Sequence, residues 1–309
     1  MAVLKIENLT KKFGDFYAVN DLSFEVAKNH VVGFLGPNGA GKTTTLRMLV
    51  GLSNPTKGNI NIFDNDLVFG DNQSRKKVGY LPEQPSLYPW MTGYEYLSFI
   101  ADIFNMSQSK KAKKISELLE TVDLKEAKNK KIGTYSNGMK QRLGIAQSII
   151  NDPELVILDE PVSALDPIGR KEVLKIIEKL KSKATILFST HILSDVDKVC
   201  DDVILLNKGK LVVSSPISEL KAKYTTLILE VEFVKDPNEI VKDLKEQKWV
   251  KRMDKNGNHI KIWITGTNVI DDNTSLKYFA KQSIGITKYG LILPEVEDLF
   301  LDLLKENNA

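Results

Sequence analysis

The junction between Val31-Val32-Gly33-Phe34-Leu35 and Gly36-Pro37-Asn38-Gly39-Ala40-Gly41-Lys42-Thr43 constrains this chain more than any other feature. The first segment, rich in β-branched and aromatic residues, reads as a buried strand. The second has the spacing G-x-x-x-x-G-K-[ST], and a helical pattern over Lys42–Val50 follows it. Strand, glycine-rich loop and helix in that order form a cradle for phosphate groups. Glycines let backbone N–H groups close round phosphate oxygens, and the helix N-terminus adds partial positive charge. In such a loop Lys42 reaches the β- and γ-phosphates of a nucleotide, and Thr43 offers its hydroxyl to Mg²⁺. Gly36, Asn38, Gly39, Gly41 and Thr44 complete the candidate phosphate contacts.

A second strand ends in acid. Leu155-Val156-Ile157-Leu158 is wholly apolar and runs directly into Asp159-Glu160. Carboxylates at the C-terminal end of a buried parallel strand lie at the crevice where such sheets bind ligands. Asp159 is placed to hold Mg²⁺ through water, and Glu160 to polarise an attacking water.

Residues 1–220 alternate short strands with longer helices, which predicts an α/β sheet. Further strands are expected at Val3–Ile6, Leu22–Val26, Asn59–Ile62, Val78–Pro82, Thr185–Ser189, Asp202–Leu206 and Lys210–Val213. Helices are expected at Gly93–Phe104, Lys110–Thr121, Ser136–Ile150, Pro167–Lys181 and Leu193–Val199. Thr92–Lys131 contains no strand pattern and reads as a helical insert, part of a helical subdomain over about 92–150. Its lysines Lys110, Lys111, Lys113 and Lys114 read as a solvated helix face. Near Ser214-Ser215-Pro216 the order changes. Residues 221–309 predict a small α+β module: strand Thr226–Phe233, helix Pro237–Gln247, a hairpin of Trp249–Asp254 and Ile260–Ile264 turning at Asn256-Gly257, helix Leu276–Gln282, strand Ile286–Leu293 and a closing helix Glu295–Lys305. The order βαββαβ up to that last helix is ferredoxin-like.

Tyr135-Ser136-Asn137-Gly138-Met139-Lys140-Gln141-Arg142 opens a helix with Ser136 at its N-cap. It follows the phosphate loop and precedes first Asp159-Glu160 and then Ser189-Thr190-His191. With these motifs in this order, the chain resembles the ATP-binding-cassette ATPases over about residues 1–220. The resemblance implies a P-loop NTPase cassette with a helical subdomain, using ATP and Mg²⁺. In that family the segment at Tyr135 is the signature motif, usually Leu-Ser-Gly-Gly-Gln. Tyr135, Asn137 and Met139 depart from that form, while Ser136 and Gly138, the donors to phosphate, remain. Ser163-Ala164-Leu165-Asp166 resembles the D-loop at the dimer contact, His191 the switch histidine on the γ-phosphate, and Phe13 the aromatic that stacks on adenine. Counted from Val78-Gly79-Tyr80-Leu81-Pro82, the Q-loop position falls on Glu83, with Gln84 beside it; either approaches Mg²⁺ and the attacking water. Pro85, Tyr88, Pro89 and Trp90 resemble the exposed loop that receives a membrane partner's coupling helix. The variant signature, the strand end Leu81-Pro82-Glu83 and the ending Leu293–Phe300 resemble an exporter subgroup often called ABC-2 type, serving drugs, antibiotics, sodium or polysaccharide.

Composition narrows the partners. A net charge of +3, from 43 basic and 40 acidic side chains, gives no basis for nucleic-acid binding. The longest apolar runs are strand length, whereas a membrane span needs ~20 residues. The resemblance therefore implies an integral membrane permease on a separate chain, with this subunit peripheral on the cytoplasmic side. One set of motifs implies a second nucleotide-binding subunit, read as a homodimer, whose ATP-driven closure powers export. The alternative is a cassette ATPase acting on ribosomes or DNA. Such members carry two cassettes or long coiled-coil inserts, and neither is present here. Cys200, the single cysteine, reads as a small buried apolar residue.

Overall fold

The computed structural model describes residues 2–68, 74–223, 227–264, 272–292 and 300. The chain divides into two compact units, Met1–Ile217 and Ser218–Ala309.

In the first unit five parallel strands lie in the order β9 (Asp202–Asn207), β3 (Val31–Leu35), β8 (Thr185–Thr190), β7 (Leu155–Leu158) and β6 (Val78–Leu81), and β10 (Lys210–Pro216) adds an antiparallel edge. Successive side chains of a strand point to opposite faces, so a strand covered on both sides is apolar throughout. Val31, Val156, Leu158, Ile186 and Phe188 face one core; Val32, Phe34, Leu155, Ile157 and Leu187 face the other. The first core holds α2 (Gly93–Ile103), α3 (Gln108–Thr121), α4 (Asn137–Ser148) and α5 (Pro167–Leu180); α6 (Leu193–Val199) packs beside α5. The second holds α1 (Lys42–Leu49) and an antiparallel sheet in the order β2 (Phe16–Ala27), β1 (Ala2–Phe13), β4 (Lys57–Ile62) and β5 (Asn65–Asp66). Both β1 and β2 run well past the predicted Val3–Ile6 and Leu22–Val26. Register shifts after Ile6, Leu9 and Lys11 break the period-two pattern by which sequence reading finds a strand.

One expectation in the helical insert needs correcting. Its helices start within three residues of the predicted positions, but Lys111 is not solvated. It is 7% exposed, and its Nζ lies 2.7 and 2.6 Å from the two carboxylate oxygens of Asp102. Lys111 shares the buried face with Ile115 and Leu118, at i+4 and i+7, so the helix period carries it inward. Lys114 is mostly covered and pairs with Asp152; Lys110 and Lys113 are exposed.

The sheet packs closely on α4 at Gly79, where a Cβ would lie 2.0 Å from the Ser148 carbonyl oxygen. Backbone on both sides cannot yield, so Gly79→Ala is expected to destabilise the first unit by about 3 kcal/mol. A thermal melt that matched wild type would contradict this packing.

After α7 (Ile217–Lys223), β11 (Ile228–Phe233), α8 (Asn238–Glu246), β12 (Val250–Asn256), β13 (His259–Ile264), α9 (Thr274–Ala280) and β14 (Ile286–Ile292) follow one another in the second unit. The antiparallel strand order is β12-β13-β11-β14, and Leu229, Val231, Phe233, Leu244, Ile262 and Phe279 are buried together. The hairpin turns one residue later than predicted. Asn256 pairs with His259, and the turn is Gly257-Asn258, with Gly257 at φ +60°. Asn258 is held by exchanging hydrogen bonds with the Phe233 backbone, which fixes the register. The predicted closing helix Glu295–Lys305 lies, Phe300 apart, outside the described residues.

Candidate functional site

Parallel register brings four separate loops to one edge of the central sheet. Leu35 pairs with Thr190, Phe188 with Leu158, and Leu158 with Leu81. Adjacent strands are ~4.8 Å apart, so the segments leaving these strand ends become neighbours. They carry Gly36–Thr43, His191, Asp159-Glu160 and Glu83. Asn38, Gly39, Gly41, Lys42, Thr43, Thr44, Glu83, Glu160 and His191 line one cleft of about 440 Å³, together with Phe16 and Ser163.

Gly36 and Gly41 of the loop are sterically required. Gly41 has φ +101°, and a Cβ there would lie 2.4 Å from the Ala18 carbonyl oxygen. A Cβ on Gly36 would lie 2.6 Å from the carbonyl oxygen of Leu206. Lys42 Nζ donates to the carbonyl oxygens of Gly36 at 2.7 Å and Pro37 at 3.3 Å, and lies 3.4 Å from Glu160 Oε1.

The acidic pair is set by β8. Ser189 Oγ donates to Asp159 Oδ1 at 2.7 Å and accepts from the Glu160 N–H at 2.7 Å. Thr43 Oγ1 donates to the same Asp159 oxygen at 3.2 Å. Asp159 is 1% exposed, and burial raises its pKa above the ordinary value against the hydrogen bonds from Ser189 and Thr43. Its Oδ2 is buried without a hydrogen-bond partner. An orphaned carboxylate oxygen beside a threonine hydroxyl is the hard-oxygen environment that suits Mg²⁺. Glu160 takes a left-handed backbone, φ +48°, unusual for a residue with a Cβ and common where strain serves a site. It is 7% exposed, and its Oε2 lies 2.9 Å from Nδ1 of the half-exposed His191. Lys42, Thr43, Asp159, Glu160 and His191 thus form one connected group.

The remaining sequence candidates divide between the cleft and other places. Glu83 lines the cleft; Gln84 is exposed and is not among the lining residues. Phe13 is exposed at the end of β1, paired in register with Phe16, and it is Phe16 that lines the cleft. Ser136 is the N-cap of α4, accepting from Met139 N at 3.2 Å, and Asp166 caps α5, accepting from Gly169 N at 2.8 Å. Both are exposed, and neither they nor Gly138 lines the cleft. Burial and four nearby aspartates push the Cys200 thiol well above its ordinary pKa, which suits an unreactive packing residue. Ser189 and Phe16 were not found from sequence. A hydroxyl in an apolar strand gives no signal until the β7–β8 pairing is known.

Beyond the cleft, Trp90 is 66% exposed and stacks on Tyr88 with ring centroids 5.1 Å apart; Tyr88 in turn meets Phe99 edge-on. Among the described residues no helix is long and apolar enough to cross a membrane.

Comparison with known proteins gives the family. Residues 19–163 match the family described as ABC transporter. An uncharacterized ABC transporter ATP-binding protein of Bacillus subtilis, YxlF, is 47% identical over 72% of this chain and 74% of its own length. The bacitracin transport ATP-binding protein BcrA of Bacillus licheniformis is 41% identical over 72% of each. Among solved structures, the dimeric structure of MJ0796, a bacterial ABC transporter cassette, superposes with a TM-score of 0.63 at 26% identity, covering 69% of this chain and 98% of that one.

Proposed function

The chain belongs to the ABC transporter family of ATP-binding proteins, which hydrolyse ATP, and from that premise we propose that it drives a membrane exporter as a homodimer closed by ATP. The observation that carries the dimer is the separation of its motifs. The phosphate loop, Glu160 and His191 share one cleft, whereas the exposed Ser136 and the partly exposed Gly138 stand outside it at the start of α4. Exposed donors at a helix N-terminus suit an anion presented by another molecule. A second copy, related by a two-fold axis, would bring its Ser136 and Gly138 to the nucleotide in this cleft. The dimeric MJ0796 cassette supports that arrangement, and the transport of bacitracin by BcrA supports export.

In this reading the loop amides and Lys42 hold the β- and γ-phosphates, and Phe13, with Phe16 beside it, flanks the base. Glu160 accepts the proton of a water attacking the γ-phosphorus, and His191 holds the Glu160 carboxylate and contacts the γ-phosphate. Thr43 and Asp159, with Glu83 or Gln84, would hold Mg²⁺, which when bound offsets charge on the phosphates. ATP binds the closed pair more tightly than the open one and so shifts the population toward closure. Hydrolysis removes the bridge, and the membrane partner turns the cycle into transport. The subunit works on the cytoplasmic face of the membrane. The decisive test is sedimentation of the purified chain with saturating ATP and slowed hydrolysis: a dimer is expected, and a monomer would overturn the proposal.

The exposed Tyr88–Trp90 stack supports a docking site for an apolar helix of the permease. Aromatic anchors of this kind dominate binding energy at interfaces. Trp90→Ala is expected to weaken copurification with the permease by about thirtyfold in affinity, on the order of 2 kcal/mol, with ATP affinity of the isolated chain unchanged. Full retention of the complex would remove this site from the interface.

A further inference from the structure

Tyr135 precedes the Ser136 cap directly and stands where the signature usually has leucine. Its side chain faces away from solvent, 4% exposed, and its Oη donates to the Ala127 carbonyl oxygen at 2.7 Å. Tyr135 Oη also sits against Gly93, the first residue of α2. A Cβ on Gly93 would lie 2.5 Å from Oη and 3.5 Å from Cζ. Burial raises the pKa of the phenol, and the Gly93 backbone opposes that rise.

The backbone just upstream is tied to the aromatic loop. Ile132 N donates to Met91 O at 2.8 Å, Gly133 N donates to Pro89 O at 2.9 Å, and Thr92 forms an isolated bridge with Lys131. Thr92 is itself the N-cap of α2, locked by a reciprocal box with Glu95. Residues 89–93 and 127–136 are therefore one hydrogen-bonded body. Trp90 lies at one end of it and the N-terminus of α4 at the other.

We propose that Tyr135 is a positioning residue whose phenol pins the Ser136 turn to Ala127 and the start of α2, within the hydrogen-bonded body that carries the aromatic loop, so that a load on Trp90 is delivered to Ser136 and Gly138. This rests on the reading that those two residues complete the site of a second copy. A leucine is shorter and could not bond Ala127; that carbonyl would keep only the Lys130 N–H at 2.9 Å, and the turn would lose its side-chain tie. The phenol has a steric consequence as well: position 93 must lack a side chain while position 135 carries a hydroxyl.

The test uses the full chain. Tyr135→Phe is expected to lower kcat about fivefold, the usual effect of one buried hydrogen bond, with the affinity of the separate monomer for fluorescent ATP unchanged. Gly93→Ala is expected to lower kcat further, because its Cβ meets the hydroxyl. Adding Tyr135→Phe removes the clashing atom, so the double variant turns over faster than Gly93→Ala alone and no slower than Tyr135→Phe. Wild-type kcat in Tyr135→Phe would overturn the proposal, as would a double variant slower than either single one. If the wild-type chain itself fails to pair on ATP, the reading of function falls and takes this with it. If wild type pairs and only the Tyr135 series shows no effect, the positioning role alone is lost.

Discussion

Glu160→Gln is expected to lose ATP turnover by about a thousandfold, the middle of the range for removing a general base, and to accumulate a nucleotide-held dimer. Glutamine keeps the size and the contact with His191 but cannot accept the proton of the attacking water. It also removes a negative charge from a cleft that must admit a triphosphate beside Asp159 and Glu83, so nucleotide affinity is maintained or increased. Phosphate release and sedimentation, measured on one preparation, check the two halves together. Turnover at the wild-type rate would refute the role of Glu160 outright. Loss of turnover without any dimer would leave the base in place and remove the closure step.

The second large effect is on binding. Lys42→Ala is expected to weaken ATP affinity by about a hundredfold, or roughly 3 kcal/mol for charge-assisted contacts to phosphate. Among the described residues Lys42 is the one lysine or arginine lining the cleft, while Glu83 and Glu160 line it too and Asp159 touches it through Thr43. Removing Lys42 also takes the buried Glu160 carboxylate from its cationic partner at 3.4 Å, so a lower melting temperature should accompany the loss. Isothermal titration gives the affinity and a thermal melt the stability. Undiminished affinity would mean that the loop amides alone hold the nucleotide.

Much of this was legible beforehand, and the parts that were not share a cause. Gly36–Thr43 and Asp159-Glu160 could be read because each lies at the end of an apolar strand, where local pattern and chemistry coincide. The outer reach of β1 and β2 could not, because bulges shift the alternation that marks a strand. Lys111 was misplaced because an ion pair with Asp102 lets a lysine occupy a buried helical position, and composition cannot foresee the partner. The hairpin at Gly257 was found but misregistered by one residue, since Asn258, not Asn256, is held by the Phe233 backbone.

By itself the sequence determined the α/β class, the phosphate loop, the acidic strand end and the order of the motifs, because each depends on residues close together in the chain. It took the folded unit to reveal that Ser189 sets Asp159 and Glu160, that Phe16 lines the cleft, that Ser136 and Gly138 stand outside it, and that Tyr135 reaches Ala127 and Gly93. Those facts depend on which strands pair and which loops are hydrogen-bonded across tens of residues. Such pairings follow from packing the whole unit, not from any local run of side chains.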